Sequence, residues 1–116
     1  MNKPKINSCR FGEIIIDNVT YKKDLIIKSD VVLPNWQREK GHAISLVDLK
    51  TVLCNPPQIL VFGTGFYGRV EINKSIINSL EETGIQVIHQ KTSTAWKTYN
   101  ELSSDRYVIA ALHLTC

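Results

Sequence analysis

Ile59-Leu60-Val61-Phe62-Gly63-Thr64-Gly65-Phe66-Tyr67-Gly68 is the stretch whose reading decides the fold. Its first four residues form an unbroken apolar run that ends at a glycine-rich turn, which suits a strand covered on both faces. Forward of the turn, Arg69-Val70-Glu71-Ile72 reads as a brief strand. Asn73 then caps a helix that carries Ile76, Ile77 and Leu80 inward and closes at Gly84. Ile85 to Ile88 is a further strand, and Thr94 to Ser103 a helix with Ala95, Tyr99 and Leu102 on one face. Tyr107 to Leu112 is a last, fully apolar strand. This β-α-β-α-β order predicts a mixed or parallel sheet with helices packed on it through right-handed connections. Strands 59–62, 85–88 and 107–112 are expected at its centre.

Backward of the turn the chain opens with a hairpin. Glu13 to Ile16 and Val19 to Ile27 flank Asp17-Asn18, two residues that tolerate turn dihedrals. Ser29 to His42 is polar around Val31-Val32-Leu33 and Trp36 and reads as an edge strand followed by a loop. At Ser45 a helix begins with Leu46, Leu49, Val52 and Leu53 on one stripe, and Asn55-Pro56-Pro57 ends it. The expected architecture is α/β: a single three-layer domain over residues 1–116, around a central mixed sheet with an N-terminal β-hairpin. Residues 1–7 read as a loose N-terminal segment.

At 116 residues the chain supports one hydrophobic core. Its net charge of +3 is spread along the sequence without a Lys/Arg cluster, so nucleic acid is not expected as a partner. No apolar run approaches the roughly 18 residues that cross a bilayer, and the first residues resemble no secretory signal. The three cysteines, Cys9, Cys54 and Cys116, include no C-x-x-C pair, which argues against a disulfide framework and a zinc module. A cytoplasmic location, no metal and no cofactor are the expectations.

Gly63-Thr64-Gly65-Phe66-Tyr67-Gly68 matches the glycine spacing of a dinucleotide-binding loop. Two features of that fingerprint are missing. The helix begins only at Asn73, and His89, Gln90 and Lys91 stand where an acidic ribose ligand belongs. The same turn, from Gly63, supports an anion nest: the N–H groups of Thr64, Gly65 and Phe66, with Arg69 and the hydroxyl of Thr92 or Thr94. The alternative is a tight turn that needs positive φ. Thr92-Ser93-Thr94, His113 to Cys116 and Gly63 to Gly65 all follow strands, and they converge if those strands run parallel. His113 and Cys116 are three apart, so an extended chain points them to opposite faces and offers no local dyad. Trp36, beside Arg38, Lys40 and His42, suggests a contact surface. Trp36, His42, His113 and Cys116 are therefore the candidate pocket or surface residues.

The ordered set Phe11-Gly12, Asp24, Trp36-x-Arg38, Gly41-His42, Gly63-Thr64-Gly65, Gly84, Thr92-x-x-Ala95, Tyr99-Asn100 and His113-x-Thr115-Cys116 resembles a family of small uncharacterised α/β proteins first described from a methanogen. Its animal relatives include an adipogenesis-associated protein and, more distantly, a mitochondrial complex I assembly factor. The resemblance spans about Asn7 to Cys116 and implies a single-domain three-layer fold. It brings no established reaction and no catalytic residues. Two functions are expected from the sequence. One is a non-catalytic binding or assembly module with a protein partner; the other is an enzyme or sensor of a small anionic ligand held at the Gly63-Thr64-Gly65 turn.

Overall fold

The computed structural model describes residues 3–116. In chain order it contains β1 (Ile6–Arg10), β2 (Glu13–Ile16), β3 (Val19–Tyr21), β4 (Leu25–Lys28), β5 (Val31–Pro34) and β6 (Ala43–Ile44). A single 3-10 segment, Leu46–Leu49, leads into α1 (Lys50–Cys54). β7 (Ile59–Gly63), β8 (Glu71–Ile72), α2 (Lys74–Glu82), β9 (Gln86–Gln90), α3 (Thr92–Leu102) and β10 (Val108–Leu112) follow. The middle layer is a five-stranded mixed sheet in the order β5-β4-β10-β7-β9. β10, β7 and β9 run parallel, while β4 pairs antiparallel with β10 and β5 pairs antiparallel with β4.

Period-two alternation along the central strands divides the core between the two sheet faces. Ile59, Val61, Val108, Ala110 and Leu112 pack with Ala95 and Tyr99 of α3 and with Ile6, Ile14 and Ile16 of the small sheet β1-β2-β3. Leu60, Phe62, Ile109 and Ala111 face the other way, onto Leu49, Val52 of α1 and Leu80 of α2. Every residue of β7 and β10 is buried, as the unbroken apolar runs require.

Several expectations are corrected. The strand at 85–88 is not central: β9 forms the sheet edge, with Gln86 and His89 exposed. The long second hairpin strand is two strands. Asp17 and Asn18 take positive φ and close a true hairpin between β2 and β3. The chain then leaves that sheet at Lys22-Lys23-Asp24 and enters the central one as β4. Leu46 and Leu53 do not share an inward stripe with Leu49 and Val52. They are 45% and 37% exposed, so Leu49 and Val52 alone turn inward from this segment. α3 begins at Thr92, two residues before the expected start.

Near the N-terminus Pro4 and Ile6 are buried, the Tyr99 hydroxyl donates to Pro4 O at 2.9 Å, and Ile6 N–H donates to Asn100 Oδ1 at 2.9 Å. Met1 and Asn2 lie outside the described residues. Among the described residues no helix is long and apolar enough to cross a membrane.

Candidate functional site

Because β7, β9 and β10 are parallel, the segments that leave their carboxyl ends meet at one edge of the sheet. Thr92 ties them together. Its buried hydroxyl accepts from Gly65 N–H at 2.9 Å and donates to His113 O at 2.6 Å. Gly65 fits here only without a side chain. A Cβ at that position, with φ at +100°, would lie 2.5 Å from the Cys116 carbonyl and 2.8 Å from the His113 ring.

That packing determines the fate of the expected anion nest. Thr64 N–H donates to Gln90 O at 2.9 Å, Gly65 N–H to Thr92, and Phe66 N–H to Thr115 O at 2.7 Å. All three amides are satisfied inside the protein, so the turn offers none of them to an anion. Arg69 is exposed, and its own N–H donates to Cys116 O at 3.0 Å. Thr94 is exposed in the first turn of α3, with its N–H on Lys91 O. Gly65 and Gly68 take the positive φ of a tight turn, +100° and +68°, whereas Gly63 ends β7, where a Cβ would lie 2.8 Å from Leu112 and Thr92.

A different cluster sits beside the turn. Asp24, where the chain crosses between sheets, faces His113 after β10 and Arg38 after Trp36. Asp24 Oδ2 lies 2.6 Å from His113 Nδ1 and 2.9 Å from Arg38 Nη1, and Oδ1 accepts from Leu114 N–H at 2.8 Å. All three side chains are largely buried, 16%, 8% and 6% exposed for Asp24, His113 and Arg38. Burial pushes the Asp24 carboxyl up, but the hydrogen bonds from His113 and Leu114, the charge of His113 and the Arg38 guanidinium outweigh it and hold the carboxyl below its ordinary value.

The donors here can be assigned. An ionised carboxylate 2.6 Å from His113 Nδ1 requires that nitrogen to carry the hydrogen. Arg38 Nη2, 3.2 Å from the same Nδ1, is then a donor facing a donor. It donates instead to Gly41 O at 2.9 Å, alongside Nε at 3.1 Å. Arg38 Nη1 lies close to Asp24 but off the angle of a hydrogen bond, so this contact is an ion pair without an aligned acceptor. With Nδ1–H directed at Asp24, Nε2 is the acceptor whenever the ring is neutral, and Thr115 Oγ1 lies 3.3 Å from it. His42 meets the His113 ring edge-on at 5.8 Å between centroids.

Trp36 serves as a support. Its indole N–H donates to Asp48 O at 3.0 Å, its backbone N–H to Asp24 O at 2.8 Å, and the Arg38 guanidinium sits 4.8 Å over its ring. A cleft of about 480 Å³ opens in front of this assembly, bordered by Lys22, Lys23, Asn35, Trp36, His113 and Thr115. A hollow of about 540 Å³ on the other side of Trp36, over Ile26, Leu33 and Val47, includes none of Asp24, His113 and Thr115. Cys116 contributes its backbone to the turn, and among the described residues no hydrogen bond joins its thiol to His113. No three His, Cys, Asp or Glu side chains among the described residues converge as metal ligands do.

The structure places Trp36, His42 and His113 near one another, beside Asp24, Arg38, Thr115 and the two lysines. The strongest missed signal was spacing. His113 and Thr115 are two apart, so an extended chain carries both to one side. Asp24 and Arg38 reach the site through pairings of long sequence separation, 89 residues for Asp24 and 75 for Arg38, which no local pattern shows.

The fold has relatives of known structure. The chain is similar to a conserved hypothetical protein, PH1505 from Pyrococcus horikoshii OT3, at 27% identity and a TM-score of 0.86, over 97% of this chain and 99% of that one. It is similar to MT938 at 25% identity and a TM-score of 0.81, over 98% and 100% of the two chains. A Mth938-like domain from Bordetella pertussis shares the fold at 22% identity and a TM-score of 0.69, over 96% and 85%. Residues 6–113 match the family described as "Protein of unknown function (DUF498/DUF598)", and the chain belongs to that family.

Proposed function

We propose that this protein is a binding module and that the cleft in front of His113 takes a small anionic ligand, with a carboxylate or phosphate group at the Lys22-Lys23 rim. The observation that carries this reading is the charge balance of the cleft. Asp24 borders it and is ion-paired with Arg38. Lys22 and Lys23 are exposed at its border, and among the described residues neither has an ion-pair partner. Position supports it as well, since ligands in open α/β sheets gather beyond the carboxyl ends of parallel strands.

The test is calorimetry and thermal shift with phosphate, sulfate, succinate and other dicarboxylates. A ligand at 100 times its dissociation constant should add about 2.7 kcal/mol to stability. The double variant Lys22→Ala/Lys23→Ala should lose most of that response while keeping its unliganded melting temperature. Wild type that responds to no anion at millimolar concentration removes the reading.

A second reading, a partner-binding or assembly module, draws on a separate feature and on the resemblance to an assembly factor. Phe11 and Tyr67 are 51% and 64% exposed; Phe11 packs on Tyr67 and on Phe66, whose centroids lie 5.7 and 6.0 Å from its ring. Exposed aromatic clusters of this kind are frequent anchors at interfaces. Trp36, engaged with Asp48 and Arg38, is less suited to that role. Phe11→Ser/Tyr67→Ser should lose partners that wild type retains in a pull-down from the native host, and an unchanged set of partners would count against this reading.

A further inference from the structure

We propose that Thr115, His113 and Asp24 form a hydroxyl relay that makes Thr115 a nucleophile toward acyl esters, with the cleft favouring acids that carry a second negative charge. The choice of acid rests on the anion-binding reading above; the relay itself does not.

The geometry has the parts an activated hydroxyl requires: a nucleophile beside a base, and a third group that orients the base. Thr115 Oγ1 lies 3.3 Å from His113 Nε2, a loose contact of the kind common in unliganded sites. His113 Nδ1 is held at 2.6 Å by Asp24, which fixes the tautomer that leaves Nε2 free to accept a proton. The carboxylate is itself fixed by Leu114 N–H and Arg38. The backbone of His113 is pinned on both sides, its N–H on Gly63 O at 3.0 Å and its carbonyl on the Thr92 hydroxyl. Both Thr115 and His113 border the cleft, so a substrate there meets the hydroxyl and the base together. Lys22, Lys23 and Asn35 border the same cleft and supply donors for the charge that develops on a carbonyl oxygen.

The step is an ordinary acyl transfer. Thr115 Oγ bonds to the ester carbonyl carbon while its proton passes to His113 Nε2. The bond from that carbon to the alkoxy oxygen then breaks, and the departing alcohol takes the proton from Nε2. Water next adds to the acyl-Thr115 carbonyl, giving its proton to Nε2. Thr115 Oγ leaves with that proton, and the free acid is released.

The experiment uses the full chain with the mono-p-nitrophenyl ester of succinic acid, with p-nitrophenyl acetate as the uncharged comparison. Succinate binding is measured separately by calorimetry. The expected result is a nitrophenolate burst stoichiometric with protein and an intact-mass increase of one succinyl group, mapped to Thr115. Thr115→Ala should abolish both and Thr115→Ser should retain both. Asp24→Asn should slow the burst by about 10²–10⁴-fold. Circular dichroism checks that each variant is folded, and Thr115→Ala, outside the ion pair, is the decisive one. No adduct on a wild type that binds succinate, or an adduct on a lysine that survives Thr115→Ala, overturns the relay and leaves the binding reading standing. An adduct at Thr115 from the acetate ester without succinate binding supports the relay and overturns the anionic preference.

Discussion

The glycine turn at 63–68 and the cleft before His113 lie side by side at the same sheet edge, yet they use their polar groups in opposite ways. In the turn the amides of Thr64, Gly65 and Phe66 are all taken by protein acceptors, and Gly65 lets the backbone of Cys116 come close. In the cleft the Lys22 and Lys23 ammoniums and the Thr115 hydroxyl stand at the border of an open space. A glycine-rich turn after a strand is thus as well explained by close backbone packing as by a ligand. The distinguishing fact is where each N–H goes, since buried backbone donors are nearly always paired.

The largest effect should come from adding a side chain where the turn packs against backbone. Gly65→Val places a β-branched side chain at φ +100°, with its Cβ 2.5 Å from the carbonyl carbon and oxygen of Cys116. Backbone cannot yield as a flexible side chain can, so we expect a loss of about 4 kcal/mol or more in urea unfolding. Gly84→Ala is the control. Its φ is +91° but nothing lies within 4 Å of an added Cβ, so only the backbone term of about 1–2 kcal/mol applies. Equal costs at the two sites would mean that Gly65 is needed for its dihedral alone and that the close packing of the turn is not a stabilising feature.

Asp24→Ala comes next. It leaves the buried Arg38 guanidinium without its counter-charge and removes the acceptor for His113 Nδ1 and Leu114 N–H, for an expected loss of about 3 kcal/mol. The pH dependence gives a second readout. The folded carboxyl titrates below its ordinary value of 3.8, so its contribution to stability is complete above about pH 5 and is lost as pH falls through the folded value. Wild type should therefore lose stability on acidification from about pH 5 downward, and Asp24→Asn should show a shallower slope there. Parallel pH profiles would mean that Asp24 is not held in the ion cluster in solution.

What the sequence made legible follows from the range of each interaction. Ile59 to Phe62 and Val108 to Leu112 announced two central strands because burial on both faces leaves no polar position to interrupt the run. Asn73 and Gly84 marked the ends of α2 through local capping chemistry, seen in the Asn73 side chain accepting from Ser75 N–H at 2.9 Å. Asp17-Asn18 marked its turn for the same local reason. The split at Lys22-Lys23-Asp24 was hidden, because two short strands of different sheets, read end to end, look like one. Ile85 to Ile88 was read as central because so short a run does not show that Gln86 within it and His89 after it face solvent. The site was legible in its parts, Trp36, His42 and His113. Its chemistry depends on Asp24 and Arg38 crossing long stretches of sequence to one imidazole.

Trp36→Phe tests how firmly the cleft floor is held. The replacement keeps an aromatic surface under Arg38 but removes the N–H that reaches Asp48 O, and we expect about 1 kcal/mol of destabilisation. Anion affinity should fall by less than about tenfold, because neither cationic rim residue is touched. A complete loss of binding would make Trp36 a direct ligand contact.

The smallest effect, and the sharpest test between the two regions, is expected of Arg69→Ala. Arg69 follows the turn directly, and an anion held by the turn amides would lie beside it. The structure instead leaves the residue exposed and engages only its backbone, through the N–H on Cys116 O, a bond that alanine makes equally well. Surface substitutions of this kind change stability by less than about 0.5 kcal/mol. Succinate or phosphate binding should be unaltered in Arg69→Ala and lost in Lys22→Ala/Lys23→Ala under the same salt, since the two lysines border the cleft and Arg69 does not. The reverse pattern, binding abolished by Arg69→Ala and untouched by the lysine pair, would return the site to the glycine turn. It would also require the amides now bonded to Gln90, Thr92 and Thr115 to be released on binding, and hydrogen exchange at Thr64, Gly65 and Phe66 in the free and anion-bound protein would report that release.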